Sequence, residues 1–205
     1  MIIGISGAQG QGKSTLIKAA LGSTEYNFRD GELQTARTLL SDMGYTLTEV
    51  NKYMPLKVKF QEQLLSNHSA NIQSLIQVSH DRDDIYLVER TFADIFNYAL
   101  LSLGPFNEYS EWLNEYYEQC KKAQDECFDS VVFLSGRDYT PEEDGVRSIN
   151  SHFSALTDFL IRKYTMAFIN TTYGVEITEP SVHGRLKALT MIATRLIRIK
   201  ENTND

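Results

Sequence analysis

Short apolar runs alternate along the chain with longer segments in which apolar residues recur at helical spacing. Four runs predict buried strands, at residues 2–6 (IIGIS), 85–88 (IYLV), 131–134 (VVFL) and 175–178 (VEIT). A further strand is poorly marked, and we place it near residues 25–28. Continuous apolar strands that alternate with helices are typical of a parallel sheet covered on both faces. The pattern therefore predicts a three-layer α/β fold with a five-stranded parallel sheet and helices on both of its faces.

Helices are predicted between and after these strands, at residues 13–21, 32–43, 56–79, 91–103, 107–126, 149–169 and 183–200. Aromatic residues in the segment 107–126 recur at helical spacing, which favours packing in the core over stacking on a nucleobase. They are Tyr109, Trp112, Tyr116 and Tyr117. The last helix carries Arg185, Arg195 and Arg198, which we expect on a solvated face, with contact to phosphate or adenine as the alternative.

The composition is that of an ordinary globular protein. Of the 205 residues, 42% are hydrophobic and 23% are charged, which excludes disorder and low-complexity repeats as the main state. This length suits one domain, which we expect to span residues 1–205. The formal net charge of −7 argues against a broad surface for nucleic acid or anionic membranes.

Cellular location is inferred from the cysteines and from the absence of a long apolar stretch. Cys120 and Cys127 form no CxxC pair, and reduced thiols are expected. No stretch approaches the roughly 20 apolar residues of a membrane span. The apolar residues 1–6 lack the basic segment and the cleavage site of a secretory signal. We therefore expect a cytoplasmic protein with no membrane association; a homodimer is left open.

Residues 7–14 (GAQGQGKS) match the pattern G-x-x-x-x-G-K-[ST] of a phosphate-binding loop. The match directly follows a predicted strand and opens a predicted helix, which is the context that such a loop requires. Glycines let the backbone turn tightly, so that several N–H groups point into one concavity at the positive end of the helix. Lys13 can reach the β- and γ-phosphates, and Ser14 can offer its hydroxyl to Mg²⁺. The candidate nucleotide-binding residues are Gly7, Gln9, Gly10, Gln11, Gly12, Lys13, Ser14 and Thr15.

Kinases, motors and switches share this kind of loop. A base-selecting NKxD sequence is absent, which argues against a GTPase switch. Two predicted strands run into Glu89 and Ser135, so the aspartate of a Walker B strand is also missing. ATP with Mg²⁺ is the expected ligand, with GTP left open, and a kinase is favoured over an NTPase that couples its nucleotide state to a partner.

A carboxylate and a guanidinium follow the strand at residues 85–88. Glu89 stands at the carboxyl end of this strand, where ligands bind in open α/β sheets. It can hold Mg²⁺ or accept a proton from an attacking hydroxyl, and Arg90 can bind a phosphate or a sugar. Asp94 lies one helical turn beyond Arg90 and can face the same cleft. The alternative is an ordinary helix start, in which Glu89 complements the helix dipole.

The segments GAQGQGKST and VERTFADIFNYAL together resemble the superfamily of P-loop nucleoside and nucleotide kinases. Deoxynucleoside kinases carry Glu-Arg-Ser, and thymidylate kinases carry Asp-Arg, where this chain has Glu89, Arg90 and Thr91. Residues 144–148 (DGVRS) are similar to the Asp-Gly-x-Arg lid segment of nicotinamide-riboside-kinase-like domains, a group that includes small phage and bacterial proteins. Residues 32–44 resemble the Glu-x-x-Arg helix of that group, although Gln34 replaces its glutamate.

The resemblance implies a P-loop kinase-like domain that transfers the γ-phosphoryl group of ATP to a nucleoside or nucleoside-monophosphate acceptor. It assigns Lys13, Glu89 and Arg147 to catalysis, and Ser14 and Glu89 to Mg²⁺. Arg37, Arg90 and Asp94 would contact the acceptor. A lid at residues 135–148, with Arg137, Asp144 and Arg147, would close over the phosphates and exclude water. A solvated surface loop is the alternative for this segment.

Two other functions stay open. One is a kinase that acts on the hydroxymethyl group of a modified base in phage DNA, although the acidic net charge disfavours binding to a phosphate backbone. The other is a P-loop ATPase that couples its nucleotide state to a partner and has no phosphoryl acceptor.

Overall fold

The computed structural model describes residues 1–79, 84–135, 151–169 and 173–204. Five strands form one sheet: β1 (Ile2–Ser6), β2 (Phe28–Asp30), β3 (Ile85–Glu89), β4 (Ser130–Leu134) and β5 (Tyr173–Ile177). Their order is β2-β3-β1-β4-β5, and every neighbouring pair is parallel. The predicted α/β class with five parallel strands is therefore confirmed.

The described helices lie between and after these strands. They are α1 (Lys13–Leu21), α2 (Ala36–Asp42), α3 (Leu47–Lys52), α4 (Met54–Ser79), α5 (Phe92–Leu103), α6 (Ser110–Cys127), α7 (Ser151–Ala167) and α8 (Val182–Asn204), with a short 3₁₀ helix at Asn107–Tyr109. Among the described residues, no helix is long and apolar enough to cross a membrane.

Two elements differ from the sequence-based expectation. The weak second strand was placed near residues 25–28 but lies at Phe28–Asp30, because Phe28 alone of its three residues is buried and the apolar signal is short. The helix predicted at 32–43 begins at Ala36, since the Thr35 side chain accepts a hydrogen bond from the backbone N–H of Thr38. The chain then forms α3, which was not predicted, after a capping box between Thr46 and Glu49.

The sheet separates two hydrophobic clusters. On one face, Ile2 and Val88 pack with residues of α4, α5 and α6. On the other face, Ile3 and Ile5 pack with residues of α1 and α8. Since consecutive strand residues point to opposite faces, the fully buried β1 contributes to both layers. The arrangement agrees with the predicted helices on both faces of the sheet.

The burial of several side chains can be compared with what the sequence predicts for them. Tyr116 is buried, and Trp112 stacks on it with ring centroids 4.6 Å apart, so this aromatic face is core as expected. Cys120 and Cys127 are buried free thiols. The expectation of a solvated Arg185 is wrong, because this side chain is 1% exposed and donates to three backbone carbonyls.

Candidate active site

The glycine loop joins the carboxyl end of β1, the central strand, to the amino end of α1. Gly12 is the N-cap of α1 and has φ 82°, in the left-handed region that favours glycine. Gly7 has φ 137°, and a Cβ atom there would lie 2.8 Å from the carbonyl oxygen of Leu134. Both glycines are therefore required by the backbone path, and the loop has the strand–turn–helix context that its sequence predicts.

Lys13 is folded into the loop. Its side chain is 4% exposed, and Nζ donates to the carbonyl oxygens of Gly7 and Ala8, each at 2.9 Å. Burial, together with the positive charge of Arg90, lowers the pKa of Lys13 to about 7, against the opposing effect of nearby carboxylates. The ammonium is thus held at the loop in a poorly solvated place, where an anionic phosphate would favour its charged form.

Ser14 and Glu89 are joined directly. The hydroxyl of Ser14 donates to Oε2 of Glu89 at 2.6 Å, which links the start of α1 to the end of β3. The two residues that the sequence assigns to Mg²⁺ therefore lie side by side. Asp30, at the end of the neighbouring strand β2, adds a carboxylate: burial, Glu32 and Glu89 together raise the pKa of its side chain.

Arg90 adopts an uncommon backbone conformation. Its φ is 82°, the one positive value among the described non-glycine residues. The guanidinium donates to Asp94 Oδ1 and to the hydroxyl of Tyr98, both at 3.3 Å, and it lies 5.4 Å from the Tyr98 ring centroid. With 32% of its side chain exposed, Arg90 keeps a free part of its surface beside Glu89. Left-handed non-glycine residues cluster at functional sites, which agrees with this position.

Asp94 lies beneath Arg90 and is fully buried. Besides Arg90, its carboxylate accepts hydrogen bonds from the N–H and hydroxyl of Thr91 and from the hydroxyl of Ser6. The Ser6 hydroxyl lies 3.0 Å from that of Thr165 on α7. In this structure Asp94 therefore supports Arg90 from below, and its direct contact with an acceptor stays a prediction.

His68 fixes Arg90 from the other side. This residue of α4 is 6% exposed, and its Nε2 lies 3.3 Å from the carbonyl oxygen of Arg90. A carbonyl oxygen only accepts, so the ring must carry its proton on Nε2. Burial lowers the pKa of His68 to about 4, so the ring is neutral at pH 7. Its edge-to-face contact with Phe92, at 5.0 Å between ring centroids, completes the packing.

A second group of polar residues lies on the α7 side of the loop. Burial raises the pKa of Asp158, against the opposing effect of the nearby backbone N–H of Ala8 and of the charges of Arg162 and Lys13. Its Oδ1 is buried and has no hydrogen-bond partner among the described residues. Next to it, Arg162 pairs with Glu176 at 2.7 Å, and Glu176 also accepts from the hydroxyl of Ser135.

The structure brings some of the predicted site residues close together and leaves others apart. Lys13, Ser14, Glu89, Arg90 and Asp94 come together, while Arg37 lies on the exposed surface of α2. Its part in acceptor binding stays a prediction, as does direct nucleotide contact for the loop residues. The lid residues Arg137, Asp144 and Arg147 lie outside the described residues.

Sequence reasoning missed several residues near the site. Asp30 was missed because β2 was placed too early, although a carboxylate at a strand end is the same signal that singled out Glu89. Asp158 and His68 lie far along the chain from the motifs that they contact. No local pattern marks such residues, because only the packing of α7 and α4 on the sheet brings them to the site.

β1 lies at the centre of the parallel sheet, and a glycine loop leads from it to α1, an arrangement that matches the fold of P-loop kinases. The chain is similar in fold to a solved structure of deoxyadenosine kinase from M. mycoides, which has dCMP and a flexible dCDP bound. The similarity covers 95% of this chain and 100% of that chain, with a TM-score of 0.56 and 16% sequence identity. No family model matches the chain, and no curated protein is similar to it in sequence. At this identity the similarity shows the fold, and function has to be argued from the site.

Proposed function

We propose that this protein is an ATP-dependent phosphotransferase that moves the γ-phosphoryl group to a nucleoside or nucleoside-monophosphate acceptor. The observation that carries the proposal is the contact of Ser14 on the phosphate-binding loop with Glu89, at 2.6 Å, directly beside Arg90. A nucleotide loop thus adjoins a carboxylate and a cation at the carboxyl edge of the sheet. A deoxynucleoside kinase of the same fold supports this choice of acceptor class.

Each residue has a defined part in such a transfer. The loop N–H groups and Lys13 would bind the phosphates and offset the negative charge that develops on the transferred group. Arg90, held by Asp94 and Tyr98, would orient the acceptor so that its oxygen lies in line with that group. Glu89 or Asp30 would take up the proton of an acceptor hydroxyl.

The residues present fit a magnesium ion. Ser14 and Glu89 offer neighbouring oxygen atoms, which are the ligands that Mg²⁺ prefers. Mg²⁺ usually binds through one or two carboxylates and substrate phosphates, so a dedicated protein cage is not needed. When bound, the ion would offset the negative charge of the phosphates. Among the described residues, no group of three or more His, Cys, Asp or Glu side chains is arranged to hold a metal.

The test is an acceptor screen with γ-labelled ATP and Mg²⁺, using nucleosides, nucleoside monophosphates and hydroxymethylated DNA. We expect label to move to one of the first two classes. Lys13→Ala should lower kcat/KM by at least about 10³-fold, since one buried cation at the phosphates is worth several kcal/mol in the transition state. Lys18→Ala, on the exposed side of the same helix, is the matched control and should keep the wild-type rate.

A second pair of variants tests the carboxylate. Glu89→Gln should lower kcat/KM by at least about 10²-fold, through loss of metal or proton binding, whereas the exposed Glu115→Gln should not. Native turnover by Glu89→Gln would refute this role. Transfer of label to hydroxymethylated DNA would show that the acceptor is a modified base in DNA. ATP hydrolysis at a rate that no acceptor changes would favour an ATPase coupled to a partner.

A further inference from the structure

Arg185, near the start of α8, connects three segments around the phosphate-binding loop. Its Nε donates to the carbonyl oxygen of Glu179 at 2.6 Å, in the turn between β5 and α8. Its NH2 group donates to the carbonyl oxygen of Ser135 at 2.7 Å, directly after β4. Its NH1 group donates to the carbonyl oxygen of Gln11 in the loop itself. One side chain therefore ties the loop to the ends of two strands.

The burial of Arg185 is costly and calls for a function. The side chain is 1% exposed and is among the largest fully buried side chains of the described residues. A buried charge is stable when hydrogen bonds satisfy its donors, and the planar guanidinium suits three carbonyls that lie in different directions. A lysine ammonium is a compact point charge on a flexible stem and lacks this fixed fork. Arginine is therefore the residue that can hold all three segments at once.

The contact with Gln11 determines the direction of an N–H group in the loop. In a planar trans peptide, the C=O of one residue and the N–H of the next point in opposite directions. Arg185 binds the C=O of Gln11, so the N–H of Gly12 must point away from Arg185. Gly12 also caps α1, whose first hydrogen bond runs from the N–H of Leu16 to the carbonyl of Gly12. The orientation of this peptide thus sets the geometry at the positive end of the helix.

We propose that Arg185 is a positioning residue for nucleotide binding, which holds the Gln11–Gly12 peptide so that the Gly12 N–H faces the bound phosphates. The inference rests on the proposed function in so far as the ligand is a nucleoside polyphosphate. Because the guanidinium of Arg185 donates to three backbone carbonyls, it would act through the loop and would not contact the ligand itself. Its loss should therefore weaken the binding of the nucleotide and leave the binding of the acceptor largely unchanged.

The test compares ADP binding, in the presence of Mg²⁺, to the full chain and to three variants by titration calorimetry. Arg185→Met removes all three hydrogen bonds and should raise the Kd for ADP by about 10- to 100-fold, the range that one charged hydrogen bond is worth. Arg185→Lys keeps the charge, and its Kd for ADP should lie between those of Arg185→Met and the wild type. Arg198→Met, at an exposed position of the same helix, should bind as the wild type does. Because Arg185 holds the loop that binds the nucleotide, the KM for ATP should rise in Arg185→Met. The KM for the acceptor should stay within about twofold of the wild-type value.

A second measurement separates positioning from loss of folding. In ¹⁵N-glycine-labelled protein, the Gly12 amide resonance should shift in Arg185→Lys without nucleotide, and those of Gly44 and Gly104, which lie far along the chain from both residues, should not. Because this NMR measurement uses Arg185→Lys, it can be made even if Arg185→Met fails to fold. An ADP affinity within twofold of wild type in Arg185→Lys, with an unshifted Gly12 resonance, would overturn the inference. Wild-type protein that binds no ADP would instead overturn the proposed function, and the Gly12 shift would still test the hold of Arg185 on the loop.

Discussion

At the scale of single residues, the site depends on Arg90, whose strained backbone is held in place by both neutral and charged neighbouring residues. Arg90 takes a left-handed conformation that costs a non-glycine residue of the order of 1–3 kcal/mol. His68 holds its carbonyl, Asp94 and Tyr98 hold its guanidinium, and its N–H donates to the carbonyl of Ile5 at 3.1 Å. These contacts offset the strain and keep the free part of the guanidinium beside Glu89.

His68 should make the stability of the protein depend on pH. Its pKa falls from 6.5 to about 4 on folding, so the unfolded chain takes up a proton between these values while the folded protein does not. The free energy of unfolding should therefore be fully present above pH 6.5 and should decrease by about 3 kcal/mol as the pH falls to 4. Urea unfolding across this range measures the effect.

The matching variants isolate the contribution of this one ring. His68→Gln keeps a hydrogen-bond donor but cannot be protonated, and it should flatten the pH dependence between 6.5 and 4. His183→Gln, at an exposed position, should leave the dependence unchanged. An equally steep loss of stability in His68→Gln would assign the effect to other groups.

At the scale of elements, the start of α5 is both a helix cap and the base of the site. Asp94 stands at the third position of the helix and accepts from the N–H and hydroxyl of Thr91, which ends the turn after β3. The same carboxylate reaches Ser6 on β1 and Arg90. The same carboxylate that caps α5 thus also holds Arg90, the residue proposed to bind the acceptor.

Asp94→Asn should disturb the cap and the acceptor side together. The loss of a buried charge that pairs with Arg90 should lower the free energy of unfolding by about 2–4 kcal/mol. The KM for the acceptor should rise by at least about tenfold, while the Kd for ADP stays near the wild-type value. Thermal unfolding and steady-state kinetics measure the two effects.

Glu49→Gln is the control for this prediction. Glu49 occupies the same position in the capping box of α3, but it is exposed and far from Arg90 in the chain. Glu49→Gln should lower the free energy of unfolding much less than Asp94→Asn does. It should leave the KM for the acceptor and the Kd for ADP unchanged. An acceptor KM that stays at the wild-type value in Asp94→Asn would show that Arg90 does not need this support.

Local pattern was sufficient for most elements but not for the contacts between them. The apolar run of β1 and the glycine loop that follows it are continuous signals, and the strand and the turn into α1 were both predicted correctly, while phosphate binding by the loop stays a prediction. The strand β2 was misplaced because Phe28 alone of its residues is buried, and α3 was missed because it is short and mostly exposed. Arg185 was assigned to solvent because a basic helix usually faces water, and nothing local reveals three carbonyls supplied by distant segments.

At the scale of the whole molecule, nucleotide binding should be visible as stability. A ligand that binds the folded chain alone stabilises it by RT ln(1 + [L]/Kd), which is about 2.7 kcal/mol at 100 times the Kd. For a protein of this length, that corresponds to a rise of the Tm by about 5–10 °C. ATP with Mg²⁺ should produce this rise in the wild type, measured by differential scanning fluorimetry, and Lys13→Ala should abolish it. Lys18→Ala should retain the full rise, and a rise of equal size in Lys13→Ala would mean that ATP binds elsewhere.

The placement of β1 between β3 and β4 has a consequence for biosynthesis. Of the five strands of this sheet, β1 is synthesised first, but its two partners begin at Ile85 and Ser130, so β1 is among the last of the five to be fully paired. Parallel pairing across such sequence separations is slow to form. During translation the apolar segment IIGIS therefore stays incompletely paired until β4 has been made, and molecular chaperones are expected to bind it in that interval.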